Sequence, residues 1–459
     1  MDRPFSASSP DLKKEAMKHT VGFCDHVHLG NFSLDENRNY CDDHRNRRYF
    51  VKPDPRPHFD LLEGHAAFVD RYHPSSSPVP SDDVESEVKS LDVVLKWIRD
   101  HSGELEKRGF ITTSSGEKRL SVDFITRRGA LHDLMKSAHL NSRFEFLATR
   151  FRGTCYLEQI DLQNHEHQND PHRIRVYSGK KFAQYCSSED GSKPDTSLPI
   201  NDNLAYEAVM AARCGDFRLM FSVEIHAEER DRGRIPLPFR RSQHLKYVNI
   251  RTTCEFNGLT DIQQSKAFFR KKLFQFWSQN HIAGIPRVLL GWRDDAQHVI
   301  TRAETYKTDD IPDIDLCPWK PHRYFTAVTN LLLEIMRIVS IDNPRLVICI
   351  WLVCVCVRIF LIHALFPAFT LNSYVDSITY TSRQMLQFTL RNFKRFCYYT
   401  LSCVVYHLIL EEVPRVGLPW SELAKRLEER RFEVRRKEGY KIVPDWFARD
   451  VVPGNYGNG

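Results

Sequence analysis

The chain has 459 residues, 65 Lys+Arg against 59 Asp+Glu, and a formal net charge of +6. With 42% hydrophobic, 12% aromatic and 27% charged residues it has the composition of a folded soluble protein, which excludes a disordered, collagen-like or multi-span membrane chain. At roughly 150 residues per domain the length allows about one to three domains, and the small basic surplus does not by itself demand a nucleic acid.

Residues 1–20 mix Ser, Pro and Lys without periodicity and read as a flexible tail with no apolar signal-peptide core. The 12 cysteines contain no CxxC pair, so neither a zinc ribbon nor a thioredoxin-like motif is offered, and buried thiols in a reducing compartment are expected. A compact stretch at 59–72 precedes a Ser/Pro-rich loop at 73–87, after which Leu91, Val94, Leu95 and Ile98 fall at helical spacing. From 120 onward strand-like runs dominate: LSVDFITRRG, FEFLATRFRGTCYLEQI, RIRVYSG, FRLMFSVEIHA, LKYVNIRTTCEF and RVLLGWRDD. Helices are expected around 203–213 and 264–281. The sum is a mixed α/β (α+β) chain, with mixed sheets flanked by helices.

The C-terminal third changes character. The run at 344–369 is as long as a membrane span, which needs about 20 apolar residues, but it carries Arg358 and His363 near its middle. A shorter apolar run at 396–410 is interrupted by His407, and ELAKRLEERRFEVRRKEGYK beyond it reads as a charged, helix-like solvated face.

Two regions offer chemistry. In the strands FRLMFSVEIHA and LKYVNIRTTCEF, period-two alternation puts Glu224 and His226 on one face and Asn249 and Arg251 on another, so pairing of the two strands would bring them to one polar patch. An ordinary solvent-facing sheet would look the same. The segment 268–295 reads as a basic amphipathic helix followed by a Gly-Ile-Pro turn. Its Arg270, Lys271 and Lys272, with Trp277 and Gln279, suit a nucleic-acid backbone through phosphate contacts and stacking, or else form a solvated face. The pairs His26/His28 and His165/His167 lack further ligands at metal spacing.

Taken in order, NFSLDENRNY, YFVKPDPRPHFDLLEGH, FITRRGALHDLM, LATRFRGTCYLEQ, YSGKKFAQY, FSVEIHA, YVNIRTT, FWSQNHIAGIPRVLLGWRDD, WKPHRYF and IDNPRLV resemble the DXO family of RNA decapping nucleases, and YKIVPDWF at 440–447 is similar to its closing segment. The resemblance implies a PD-(D/E)xK-nuclease-like fold and hydrolysis of NAD-type or incomplete 5′ caps with a divalent metal, Mg²⁺ or Mn²⁺. It implies RNA 5′ ends as partner, with an exoribonuclease or other protein as a second, and the nucleus or cytosol as location. By resemblance Arg128 and Gln279 lie near the RNA backbone, together with Lys271 and Lys272, while Glu224 and Arg251 are catalytic and Glu224 and His226 face the metal.

The match departs from the family pattern where the metal should be. Ala183 stands in place of one acidic residue, His226 of a second and Asn249 of a third, and Val223 replaces a small Gly beside the pocket. Arg251 replaces a Lys and stays protonated. One carboxylate supports one ion at most, so the expected activity is reduced; the alternative is an inactive protein that binds RNA 5′ ends or a protein partner. The expected organisation is a tail at 1–20, the nuclease-like domain at 21–347, an apolar insertion at 348–410, and a charged helix with the closing segment at 411–459. For the insertion three readings stand: a membrane anchor at 346–369, a packed helical insertion, or translated intron, the last ranked first because an abrupt composition shift needs no function.

Overall fold

The structure is a computed structural model that describes residues 22–70, 87–114, 117–138, 143–161, 170–230, 246–256, 266–345, 347–353, 432–436 and 441–451. The chain divides into two compact units, Met1–Met135 with Glu145–Cys349 and Arg435–Gly459, and Lys136–Phe144 with Ile350–Val434. Everything that bears on the site lies in the first.

The principal strands are β1 (Phe23–Leu34), β2 (Phe124–Arg127), β3 (Arg143–Phe151), β4 (Thr154–Asp161), β5 (Ala205–Cys214), β6 (Phe217–Glu224), β7 (Ala227–Glu228), β8 (Tyr247–Cys254), β9 (Arg287–Asp294) and β10 (Val299–Lys307). The principal helices are α1 (Asp92–Asp100), α2 (Arg128–Ser137), α3 (Asp170–Tyr185), α4 (Leu273–Ala283) and α5 (Pro321–Ile338). In the first sheet β3, β4, β2, β6, β5 and β1 lie side by side, β2 running parallel to both β4 and β6. The second sheet runs β7, β8, β9, β10, with β8 and β9 parallel and the short strands Tyr49–Phe50 and Ser187–Ser188 beyond β7. The mixed sheets with flanking helices agree with the fold class read from the sequence.

Local propensity misleads at three places. The Ala-rich segment AYEAVMAARC suggests a helix, but it is the strand β5, flanked on both sides by β1 and β6 and buried at every position except Arg213. Tertiary burial outweighs Ala's helix preference there. RIRVYSG, expected as a strand, is the middle of α3, where Tyr177 and Phe182 turn into two apolar clusters. Phe432–Arg436, inside the run read as a charged helix, is a strand.

Other expectations agree. Leu91, Val94, Leu95 and Ile98 are fully buried on α1 and its N-terminal flank, and the buried Glu158 carboxylate accepts the Leu91 N–H at 2.7 Å at that helix N-terminus. The helix α4 is not an amphipathic surface helix. Only the π-helical turn before it, Phe268–Lys272, exposes its basic side chains, whereas α4 itself is buried on most of its circumference. It ends at Gly284, whose φ of 67° supplies the left-handed cap, with the Ile285 N–H bonded to the Asn280 carbonyl at 2.9 Å.

Ile348–Val353 at the start of the apolar block forms a strand; residues 354–431, the remainder of the block and most of the charged run, lie outside the described residues, as do 1–21 and the loop 71–86. Among the described residues no helix is long and apolar enough to cross a membrane.

Candidate functional site

The site forms where β6 ends. Glu224 is its last residue; the Ile225 N–H still bonds to the Tyr206 carbonyl of the first sheet at 2.8 Å, while Ala227 already pairs with Val248 in the second. The chain changes sheets through His226. Its Nδ1 accepts the Ile250 N–H at 2.9 Å, so the imidazole does for this amide what a strand carbonyl would do. An accepting Nδ1 leaves the ring proton on Nε2. Burial and then the charge of Arg251 push the His226 pKa down to about 3, and the ring is neutral at neutral pH.

Around this seam three elements deliver cations. Arg128 opens α2 directly after β2, and β2 and β6 are neighbouring parallel strands with Arg127 opposite Ser222, so Arg128 and Glu224 both lie at the carboxyl ends of parallel strands. Arg251 and Asn249, two residues apart on β8, share a face and both reach α4. The Arg251 Nη2 donates to Gln279 Oε1 at 3.0 Å, and the Asn249 Nδ2 donates to Asn280 Oδ1 at 2.5 Å. From α3, the Lys180 Nζ lies 2.8 Å from Asp202 Oδ1 and 3.0 Å from Glu224 Oε1.

Burial and then the neighbouring Arg251 lower the Arg128 pKa to about 10, and burial likewise lowers that of Arg251, while the Glu224 carboxylate opposes both shifts. Both guanidiniums remain charged, and the Nε of each is buried without a hydrogen-bond partner. Glu207 lies directly across from Glu224 in the β5–β6 register and is paired with Arg127. Each of these facing carboxylates therefore has its own cation.

The donor set does not fit a divalent metal. Glu224 is engaged by Lys180, the His226 Nδ1 is taken by a backbone amide, its Nε2 carries the proton, and position 183 offers a methyl group. Two guanidiniums and an ammonium would repel a +2 ion at this spot. Among the described residues no group of three or more His, Cys, Asp or Glu side chains is arranged to hold a metal. The Glu224 and His226 pair expected to hold one ion is occupied with other work.

Of the residues singled out by sequence, the structure brings together Arg128, Glu224, His226, Arg251 and Gln279. The route differs from the expected one: FRLMFSVEIHA and LKYVNIRTTCEF meet only through Ala227–Val248 and Glu228–Tyr247, not along their length. Asn249 is part of a buried amide pair instead of an open patch. Lys271 and Lys272 are exposed but stand seven and eight residues before Gln279, roughly 11 Å away along the helix axis. Trp277 cannot stack on a base, being 1% exposed among Phe274, Trp319 and His281. Val223 is buried on the opposite face of β6 from Glu224 and does not obstruct the site. His26 and His28 serve internal hydrogen bonds, to the Ile282 carbonyl and to Asn31, and His165 and His167 lie outside the described residues.

Sequence reasoning missed Lys180 and Asp202. Lys180 precedes Ala183 by three positions on one helix, so both lie on one face, a signal that was hidden while the segment was read as a strand.

A sequence model of the family described as RAI1-like PD-(D/E)XK nuclease matches residues 27–353. The Homo sapiens decapping and exoribonuclease protein is 31% identical over 330 residues, covering 70% of this chain and 76% of that protein. Among solved structures, Rai1 of Scheffersomyces stipitis superposes with a TM-score of 0.55 at 19% identity, covering 72% of this chain and 89% of its own. Candida albicans Rai1, solved in complex with pU5 and Mn²⁺, gives 0.54 at 17% identity, with 72% and 87% covered.

Proposed function

The chain belongs to the RAI1-like PD-(D/E)XK nuclease family of decapping enzymes, and from that premise we propose that it binds the phosphorylated 5′ end of an RNA in a pocket that no longer assembles a divalent-metal centre. The observation that carries this reading is the pair of half-buried guanidiniums, Arg128 just past the carboxyl end of β2 and Arg251 within β8, each with an unpartnered buried Nε. Like charges held this close out of water favour an anion between them. A terminal phosphate supplies it. Arg128 brings in addition the amide dipoles of the first turn of α2, which also favour an anion.

Hydrolysis needs a nucleophile made at neutral pH. Arg251 cannot take a proton from water, the neutral His226 offers an N–H instead of a lone pair, and Glu224 is held by Lys180. Binding and orientation remain within the reach of these residues. Gln279 fixes the Arg251 fork, and Lys271 and Lys272 serve nucleotides farther along the strand.

The test compares a short single-stranded RNA with 5′-monophosphate, 5′-NAD and 5′-hydroxyl ends by fluorescence polarisation in EDTA. The phosphorylated end should bind at least about tenfold tighter than the hydroxyl end, one charge-assisted contact being worth about 1.5–3 kcal/mol, and Arg128→Ala or Arg251→Ala should erase the difference. Equal binding of all three, or Mn²⁺-dependent release of labelled product that Glu224→Gln abolishes, would defeat the proposal.

A further inference from the structure

The helix α4 is buried around most of its circumference, and the positions that break the pattern are few. Of its 11 residues only Gln275, Gln279 and His281 are not buried, and His281 is stacked against the Trp277 and Phe325 rings. Gln275 and Gln279 stand one turn apart on one face, and Lys271, exposed in the π-helical turn, continues that line four residues earlier. Gln279 holds Arg251. Among the described residues the Gln275 side chain makes no hydrogen bond and Lys271 no ion pair. No Asp or Glu occurs between Phe268 and Ala283, whereas a merely solvated helix face carries both signs of charge.

The strand β8 follows the same line in the opposite sense. Asn249 and Arg251 meet Asn280 and Gln279, and farther along this face Trp292 of β9, paired with Thr253, touches Phe268 at 5.1 Å between ring centroids. The chain leaving β8 closes the line with the partly exposed Phe256, 5.6 Å from Phe268 and 5.5 Å from Trp292. Both elements that hold Arg251 therefore lead away from it to the same place, passing Gln275 and then Lys271.

Resting on the reading of a 5′-phosphate pocket at Arg128 and Arg251, we infer that this line is the path of the RNA, with Gln275 at its second phosphate and Lys271 at its third. Each step along the line is one helical turn, about 5.4 Å, comparable to the step between successive phosphates of an extended strand. The Gln275 amide donates to a phosphate oxygen, and the Lys271 ammonium supplies a counter-charge to the next. Contacts of this kind position a strand without reading its bases, so the substrate class is any RNA of three or more nucleotides with a free 5′ end.

The test uses the full-length chain in EDTA and 3′-labelled, 5′-phosphorylated RNAs of one to five nucleotides. Wild-type affinity should climb at the second and third nucleotides, equally for adenine and uracil sequences, and change little beyond. Lys271→Ala should leave the mononucleotide and dinucleotide unchanged and cost about fivefold from the trinucleotide onward, while Gln275→Ala should cost about threefold already at the dinucleotide. Gln275→Lys should tighten the trinucleotide and steepen its salt dependence by about 0.7, a gain that misfolding cannot mimic. Variants at 271 and 275 that bind every length as wild type does, or that weaken the mononucleotide as much as the trinucleotide, would overturn the inference, as would a Gln275→Lys that binds the trinucleotide no tighter. The same series with 5′-hydroxyl ends separates the two readings. Loss of the 5′-phosphate preference defeats the pocket alone, because the length steps at Gln275 and Lys271 are read within either series.

Discussion

His226 shows how one side chain is withdrawn from chemistry by a structural duty. Its Nδ1 closes the seam between the sheets, and the same hydrogen bond dictates the tautomer that faces the site. His226→Ala leaves the Ile250 N–H without an acceptor and should cost about 1–3 kcal/mol, seen as a lower melting temperature at pH 7. The pH dependence has a definite sign. His226 and His281 are held down near 3 by burial, so between their ordinary value of 6.5 and about 3 the unfolded chain binds protons that the folded chain refuses. Stability is therefore complete above pH 6.5 and drains away as the pH falls toward 3. The melting temperature should drop steadily from pH 6.5 to 4, with a shallower slope in His226→Ala; an equal slope in both proteins would show that this imidazole is not among the groups responsible.

At the scale of elements, the site depends on α3 lying close against the second sheet. Gly291 in β9 makes that possible: a Cβ there would stand 2.8 Å from the Phe182 ring and 3.0 Å from Ile300. Gly291→Ala should cost about 1–3 kcal/mol through overpacking and weaken binding of 5′-phosphorylated RNA by displacing the helix that carries Lys180. Combining it with Phe182→Leu should restore part of both; an unchanged melting temperature in Gly291→Ala would refute the argument. Elements of this kind were unevenly legible in the sequence. Apolar periodicity located α1, whose apolar face is buried, and β-branched and aromatic runs located β6 and β8, although both faces of each are largely buried. It failed for β5, an Ala-rich strand buried on both faces whose composition favours a helix, and for α3, whose apolar residues are split between two clusters. Motif order located Arg128, Glu224, Arg251 and Gln279. The Lys180–Asp202 bridge stayed invisible, since its partners are 22 residues apart and meet only once α3 is recognised as a helix.

For the molecule as a whole, the net charge of +6 says little about RNA, and the local arrangement says more. With Arg128 and Arg251 on the terminal phosphates and Lys271 and Lys272 on nucleotides farther along, as proposed, the logarithm of RNA affinity should fall against the logarithm of salt with a slope of about −3, at about 0.7 per neutralised phosphate for single strands. Replacing Lys271 and Lys272 together should flatten that slope while sparing the preference for a phosphorylated end; losing the preference instead would place them in the pocket itself. The bridge from Lys180 to Asp202 and Glu224 also constrains how this sequence can change over time. A carboxylate placed at 183 would stand one turn from a cation already shared by two acids, and removing that cation would take the bridging ammonium from Asp202 and Glu224, so the effect of each step depends on what the other position holds. Substitutions at 180 and 183 should therefore be strongly epistatic, the cost of either change being set by the residue at the other position.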